Sequence, residues 1–423
     1  MLGHIISLYS RCYIRQHMAQ LQPVGEHFKH HLMQSANDTL LLYVHIPFCE
    51  SLCPYCNFHR FKYQQDIAIY YFSALQKELR IYRDMGFKFT ELYVGGGTPT
   101  INPKLLTELI ETTTRLFPIT RISIETNPNF LSISNINLLT QLGVNRLSVG
   151  VQSLQDSLLK KMGRLVPYGD SQTIMHNLEL AIPEFDTLNV DMIFNLPGQT
   201  EQHLLTDLES LNTLKPTQIS WYPLMPSNET KVLMDESMGQ FSFRNESKFY
   251  QLIDKEMNAH YQMSSAWCFN LKQQQGHIDE YVVDHENYLG TGSGSFSYIN
   301  GLLLSSSFSI EDYITRVNQR ITGITSMQTM MPKEIIQYQL LMRLFGLRVP
   351  HRYWIDRYHK SPQQLFKMEL TLLRLMGAIE IDQTEIRLTR YGRYIWVVFM
   401  REFFMGVNNY RAQMRHSTQD SIG

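Results

Sequence analysis

No apolar run in this chain reaches the roughly 20 residues that a membrane span needs. Its start, Met-Leu-Gly-His-Ile-Ile-Ser-Leu-Tyr-Ser-Arg-Cys, lacks the basic lead, clean apolar core and small-residue cleavage site of a signal peptide. A charge excess is missing too: 38 Lys and Arg stand against 39 Asp and Glu, for a formal net charge of -1 and a pI near 6.9. That leaves no electrostatic footprint for nucleic acid. Cysteine is scarce, with five in 423 residues. These absences predict a cytoplasmic protein with no membrane span and no nucleic-acid partner. The length suffices for one large domain plus a smaller one.

What is present is concentrated. Cys49, Cys53 and Cys56 fall in one stretch, His-Ile-Pro-Phe-Cys-Glu-Ser-Leu-Cys-Pro-Tyr-Cys-Asn-Phe. A cubane iron-sulfur cluster has four iron corners and normally takes four thiolates, so three cysteines leave one corner open. An open iron can chelate a small molecule through an amino and a carboxylate group. S-adenosylmethionine (SAM) carries both on its methionine end, and an electron from the cluster would break its sulfonium bond. The residues also admit a zinc site with His45 or His59 as fourth ligand, although zinc loops usually pair two local ligands with two distant ones. A disulfide reading fails because an odd number of crowded cysteines cannot pair off. Cys12 and Cys268 lie outside the loop and read as structural thiols.

Along the chain, residues 1–38 form a polar lead-in. A β-branched and aromatic run from Leu40 to Ile46 then reads as a buried strand that delivers the cysteine loop. Helical and strand periodicities alternate after it: strands at Glu91–Val94, Arg121–Glu125, Arg146–Val151, Thr187–Phe194 and Gln218–Pro223, helices at Asp66–Met85, Pro103–Leu116, Ser134–Gln141, Gln172–Ala181 and Glu201–Leu211. Alternation predicts an α/β fold with right-handed crossovers and a parallel sheet. About six units suit a partial (β/α)6 barrel, whose reactive groups belong at the C-terminal strand ends. After about residue 300 the alternation stops. Helices are expected at Glu311–Gln319, Lys333–Leu344 and Ser361–Met376, a small wing at Ala378–Ile381 and Ile386–Leu388, and an aromatic stripe between Tyr391 and Tyr410.

The Cys-x-x-x-Cys-x-x-Cys loop is the defining pattern of radical SAM proteins. Tyr43-Val-His-Ile-Pro-Phe-Cys49 and Cys53-Pro-Tyr-Cys56-Asn-Phe58 resemble the branch that holds the oxygen-independent coproporphyrinogen III oxidases (HemN) and the heme chaperones (HemW). Leu-Tyr-Val-Gly-Gly-Gly-Thr-Pro-Thr, Arg-Leu-Ser-Val-Gly-Val-Gln-Ser, Asp-Met-Ile-Phe-Asn-Leu-Pro-Gly-Gln-Thr and Tyr-Leu-Gly-Thr-Gly-Ser-Gly-Ser-Phe-Ser continue the resemblance over about residues 40–300. The resemblance implies a radical SAM barrel over 39–300 and a mainly helical, winged-helix-like auxiliary domain over 301–423. It implies a 4Fe-4S cluster on Cys49, Cys53 and Cys56, and SAM as cofactor, cleaved reductively to a 5'-deoxyadenosyl radical. Positions matching the family's SAM contacts are Tyr43, Tyr55, Gly96, Gly97, Thr98, Glu125, Gln152, Arg164, Asp191, Pro223 and Phe296, with Tyr43 and His45 beside the reaction.

Three functions follow from that resemblance. One is a radical enzyme acting on a tetrapyrrole, in the manner of coproporphyrinogen III dehydrogenase. The second is a heme chaperone that delivers heme without oxidase activity, and the third a two-SAM radical methyltransferase. The oxidase branch extends its loop by another cysteine where this chain has Phe58, and the tail Met400-Arg-Glu-Phe-Phe-Met-Gly406 departs from the chaperone pattern. The expected partners are a tetrapyrrole, coproporphyrinogen III or heme, and an electron donor such as flavodoxin or ferredoxin.

Overall fold

The computed structural model describes residues 21–25, 32, 39–272 and 285–417. The expected lead-in, including Cys12, lies almost wholly outside the described residues. Six strands supply the core: β1 (Thr39–Ile46), β2 (Lys88–Gly96), β3 (Arg121–Thr126), β4 (Arg146–Gln152), β5 (Thr187–Phe194) and β6 (Gln218–Pro223). Each pairs in parallel with the next. Helices α1 (Gln65–Asp84), α2 (Pro103–Leu116), α3 (Ile133–Gln141), α4 (Ser171–Ala181) and α5 (Glu201–Leu214) supply the crossovers. Both faces of the sheet are covered, so Leu40, Leu41, Leu42, Val44 and Ile46 of β1 are all buried.

The sheet is longer than the alternation predicts. An antiparallel pair, β7 (Tyr261–Met263) and β8 (Cys268–Leu271), extends it beyond β6. On the opposite flank β9 (Tyr288–Thr291) adds a seventh parallel strand beside β1. A meander of β10 (Phe296–Ile299), β11 (Leu302–Ser306) and β12 (Ile324–Thr329) follows it, edged by the strand Gln22–Pro23. The order runs Gln22–Pro23, β12, β11, β10, β9, β1, β2, β3, β4, β5, β6, β8, β7, and the two end strands do not pair. The barrel is thus partial, as expected. A domain boundary at residue 300 would cut the β10–β11 hairpin, because strands of four or five residues are too short to show a period.

Beyond β12 the chain is mainly helical: α6 (Ile310–Asn318) precedes it, and α7 (Pro332–Phe345), α8 (His351–Tyr358), α9 (Lys367–Leu375) and α10 (Arg390–Ser417) follow. The wing forms as a three-stranded sheet of Arg348–Pro350, Glu385–Leu388 and Ile379–Ile381. The single helix expected over Ser361–Met376 is broken at Phe366, whose backbone leaves the helical region (φ -128°, ψ 38°) while its buried ring packs 4.8 Å from Trp354. The aromatic stripe begins as a docking face. Trp396 donates to the Leu341 carbonyl at 2.9 Å, and Phe404 lies 6.0 Å from Trp267. At 28 residues, α10 runs about 42 Å. Among the described residues, no helix is long and apolar enough to cross a membrane.

Candidate functional site

The C-terminal end of β1 leads directly into the cysteine turn. Phe48–Cys49 pairs with Phe61–Lys62, and the amide of Cys56 closes on the Cys53 carbonyl at 3.2 Å. Arg60 fastens the turn from inside, its Nη2 donating to the carbonyls of Cys53 (2.6 Å) and Cys56 (2.9 Å). Cys49 and Cys53 are buried and Cys56 is half-buried. Burial, together with the adjacent Cys56, pushes the Cys49 thiol up to about 12.

The glycine loop after β2 lies against this turn. Gly97 donates to the Ile46 carbonyl and Thr98 to the Phe48 carbonyl, both at 2.8 Å. A Cβ on Gly97 would stand 2.7 Å from the Phe48 oxygen and 2.9 Å from Cys49 Sγ, so only glycine lets the backbone press so close. Gly96, at φ +120°, donates its N–H to Glu125 Oε2 (2.9 Å), while the Tyr93 hydroxyl donates to Glu125 Oε1 (2.9 Å).

A chain of side chains then joins two of the sulfurs. Thr98 Oγ1 lies 3.6 Å from Cys49 Sγ, Asn127 Nδ2 donates to Thr98 Oγ1 at 3.0 Å, and Arg164 Nη2 donates to Asn127 Oδ1 at 2.9 Å. Arg164 also donates to the Gly150 carbonyl, and its Nη1 reaches Cys53 Sγ at 3.8 Å. Its guanidinium stacks 4.1 Å from the Tyr168 ring centre. Tyr55 packs beside Cys53, its phenol pushed well up by burial and by that sulfur. Sequence reasoning missed Asn127, Arg60 and Tyr93. Asn127 carries a signal, since period-two alternation puts it on the same face as Glu125.

The remaining residues occupy other parts of the rim. The carbonyl of His59 only accepts, so His45 Nε2 carries the proton that bridges to it (2.8 Å), and His45 Nδ1 accepts from the Tyr43 hydroxyl (2.9 Å). Burial holds the His45 imidazole down to about 4. Gln152 ends β4 in the left-handed region (φ 75°). Asp191 accepts from Ser148 (2.9 Å) and Asn189 (2.7 Å). Pro223 ends β6, while Phe296 opens β10 on the other flank of the sheet, 6.1 Å from Tyr410 of α10. Helix α10 spans that opening: Asn408 reaches the Met225 carbonyl (3.4 Å), and Asn409 accepts from the Asn228 amide (2.9 Å). Cys268 is fully buried on β8 and forms no disulfide among the described residues.

These groups suit a cationic, thiolate-ligated centre with an adjoining small molecule. Among the described residues, no three His, Cys, Asp or Glu side chains stand pre-assembled around a metal. The Cys49 thiol nevertheless resists ionisation by itself and gains from a cation beside it. Arg164 Nε is buried without a hydrogen-bond partner, a donor left for an anionic ligand group.

Comparison with known proteins agrees with this arrangement. Residues 43–211 match the radical SAM superfamily. The heme chaperone HemW of Bacillus subtilis is 27% identical over 372 residues, covering 84% of this chain and 96% of that protein. An anaerobic coproporphyrinogen III oxidase of Cereibacter sphaeroides is 30% identical over 188 residues, 42% of this chain and 41% of that one. The solved structure of Escherichia coli HemN superposes with a TM-score of 0.77 at 21% identity, over 91% of this chain and 95% of that one, and so shares the fold. Residues 43–211 therefore form a radical SAM domain, in a chain homologous to the heme chaperones HemW and the coproporphyrinogen III oxidases HemN.

Proposed function

We propose that Cys49, Cys53 and Cys56 hold a 4Fe-4S cluster, that SAM lies across the C-terminal strand ends, and that the ligand served by this site is a heme-type tetrapyrrole. The observation that carries the reading is the side-chain circuit from Cys49 through Thr98, Asn127 and Arg164 to Cys53, which gathers three βα loops around two thiols. When bound, such a cluster supplies the electron that cleaves SAM.

The chain's own residues then have distinct tasks. Gly97 brings backbone close to the Cys49 sulfur, Gly96 lets the loop pass against the His45 ring, and Thr98 donates toward the sulfur. Glu125, already fixed by Gly96 and Tyr93, is placed to accept from a ribose hydroxyl or an ammonium group. The free Nε–H of Arg164 suits the methionine carboxylate. Gln152, Asp191, Tyr55, Pro223 and Phe296 complete the proposed SAM contacts. Tyr43 faces the reaction, with neutral His45 orienting its hydroxyl.

Heme comes first among tetrapyrroles because relatives aligned over nearly their whole length carry the name heme chaperone. Oxidation of coproporphyrinogen III is the second reading, favoured by the relative named for that activity. The test is anaerobic reconstitution with iron and sulfide, then SAM and dithionite, or a flavodoxin or ferredoxin as donor. Heme binding is followed by absorbance, and 5'-deoxyadenosine, S-adenosylhomocysteine and tetrapyrrole mass by chromatography. Tight heme binding with no tetrapyrrole mass change supports the chaperone. Loss of carboxyl mass from coproporphyrinogen supports the oxidase, and S-adenosylhomocysteine marks methyl transfer instead. A chain that binds neither cluster nor tetrapyrrole overturns the proposal.

A further inference from the structure

Asn127 sits one residue beyond β3 and touches neither a thiol nor the outer rim, yet it joins the two groups that do reach sulfur. We propose that Asn127 is a positioning residue: its amide sets the direction of the hydrogen bonds to Cys49 and Cys53, and through them the reduction potential of the cluster. This rests on the cluster reading above.

The amide's orientation is not arbitrary. A guanidinium has no acceptor, so Arg164 must meet Asn127 Oδ1, which turns Nδ2 toward Thr98 Oγ1. Thr98 Oγ1 therefore accepts from the amide, and its own proton is left for Cys49 Sγ at 3.6 Å. At the other end Arg164 is held with Nη1 at 3.8 Å from Cys53 Sγ. One buried amide thus aims a donor at each of two sulfurs. Asn127 and Thr98 are each 8% exposed and Arg164 is 4% exposed, so solvent has little access to replace these bonds. Donors to cluster sulfurs favour the reduced, more negative state and raise its potential.

Asn127→Asp tests the direction at nearly constant size. A carboxylate only accepts, so it turns the Thr98 proton away from Cys49. Thr98→Val removes the same donor without a new charge. The wild type, N127D, T98V and the double variant are reconstituted anaerobically. Iron content and apo-protein circular dichroism are recorded, and the cluster midpoint is read by redox titration with electron paramagnetic resonance. N127D is expected about 59 mV more negative, a tenfold change for a one-electron couple. T98V is expected to shift in the same direction, and N127D to add less in the T98V background than in the wild type. An unchanged N127D midpoint overturns the proposal, as does an equal N127D shift in both backgrounds, which a bare charge effect gives. If N127D does not fold, T98V decides: an unchanged T98V midpoint overturns it. A wild-type chain that takes up no cluster overturns both this inference and the cluster reading, whereas a cluster with unmoved midpoints overturns this inference alone.

Discussion

Asn57 lies one residue past the last cysteine of the turn and donates through Nδ2 to the carbonyl of Met225, 2.8 Å away and 168 residues further along the chain. Its Oδ1 accepts from the Ser227 amide at 2.9 Å and the Thr230 hydroxyl at 2.6 Å. The cysteine turn at the end of β1 is thereby tied to the loop that follows β6.

Asn57→Ala removes that tie, takes a donor from the Tyr55 and Met225 carbonyls and leaves Ser227 and Thr230 to bond only each other, a cost of about 1–3 kcal/mol. The expected outcome is a lower thermal midpoint and faster iron loss to a chelator from the reconstituted protein. Iron loss at the wild-type rate would show that the turn is held without this bridge.

Gly97→Ala places a methyl group 2.7 Å from a backbone oxygen, which has nowhere to move within the sheet-anchored loop. The site should lose cluster uptake, read as bound iron and sulfide, while far-ultraviolet circular dichroism stays that of the wild type. Full iron content in G97A would remove the close-approach argument.

Glu78 is fully buried on α1 and accepts from the hydroxyls of Tyr82, Thr291 and Tyr313 and from the amides of Gly292 and Gly323. It is the acceptor that joins α1 to β9 and to the segment after α6. Glu78→Gln presents an amide NH2 to donors that need an oxygen, at roughly 1–3 kcal/mol for each stranded donor. Denaturant titration should show that loss at unchanged slope. A stability within error of wild type would mean these donors find other partners.

Asp207 gives the pH dependence. Burial pushes its carboxyl up to about 6, against the lowering pull of donors from Gln155, Ser153 and the Leu154 amide. The folded chain therefore holds this proton where the unfolded chain has lost it. Stability from this group is present at acid pH and falls as pH rises from about 4 to about 6, by on the order of 3 kcal/mol. Asp207→Asn can accept on Oδ1 from Leu154 and Gln155 and donate to Ser153, so it should fold and show a flatter stability curve across that interval. An identical curve for wild type and D207N would place the titration elsewhere.

The ends of β5, β6 and α2 match the sequence reading residue for residue, because buried parallel strands and capped helices announce themselves locally. The cysteine spacing and the glycine triplet are equally local. Asn127 was within reach of strand alternation, but its role depends on Arg164 arriving from beyond β4, a contact across 37 residues. Arg60 gave no signal beyond a charge in a loop, since its partners are backbone carbonyls.

By itself, then, the sequence determined the donor set of three thiols in one turn, the glycine loop and the parallel βα frame, all of which follow from near-neighbour spacing and hydrophobic period. Only the tertiary structure decided what faces those thiols. The Thr98–Asn127–Arg164 circuit, the Asn57–Met225 tie and the reach of α10 across the open flank join residues far apart in the chain. Their pairing is set by how the sheet twists and where the helices pack, and no local pattern encodes it.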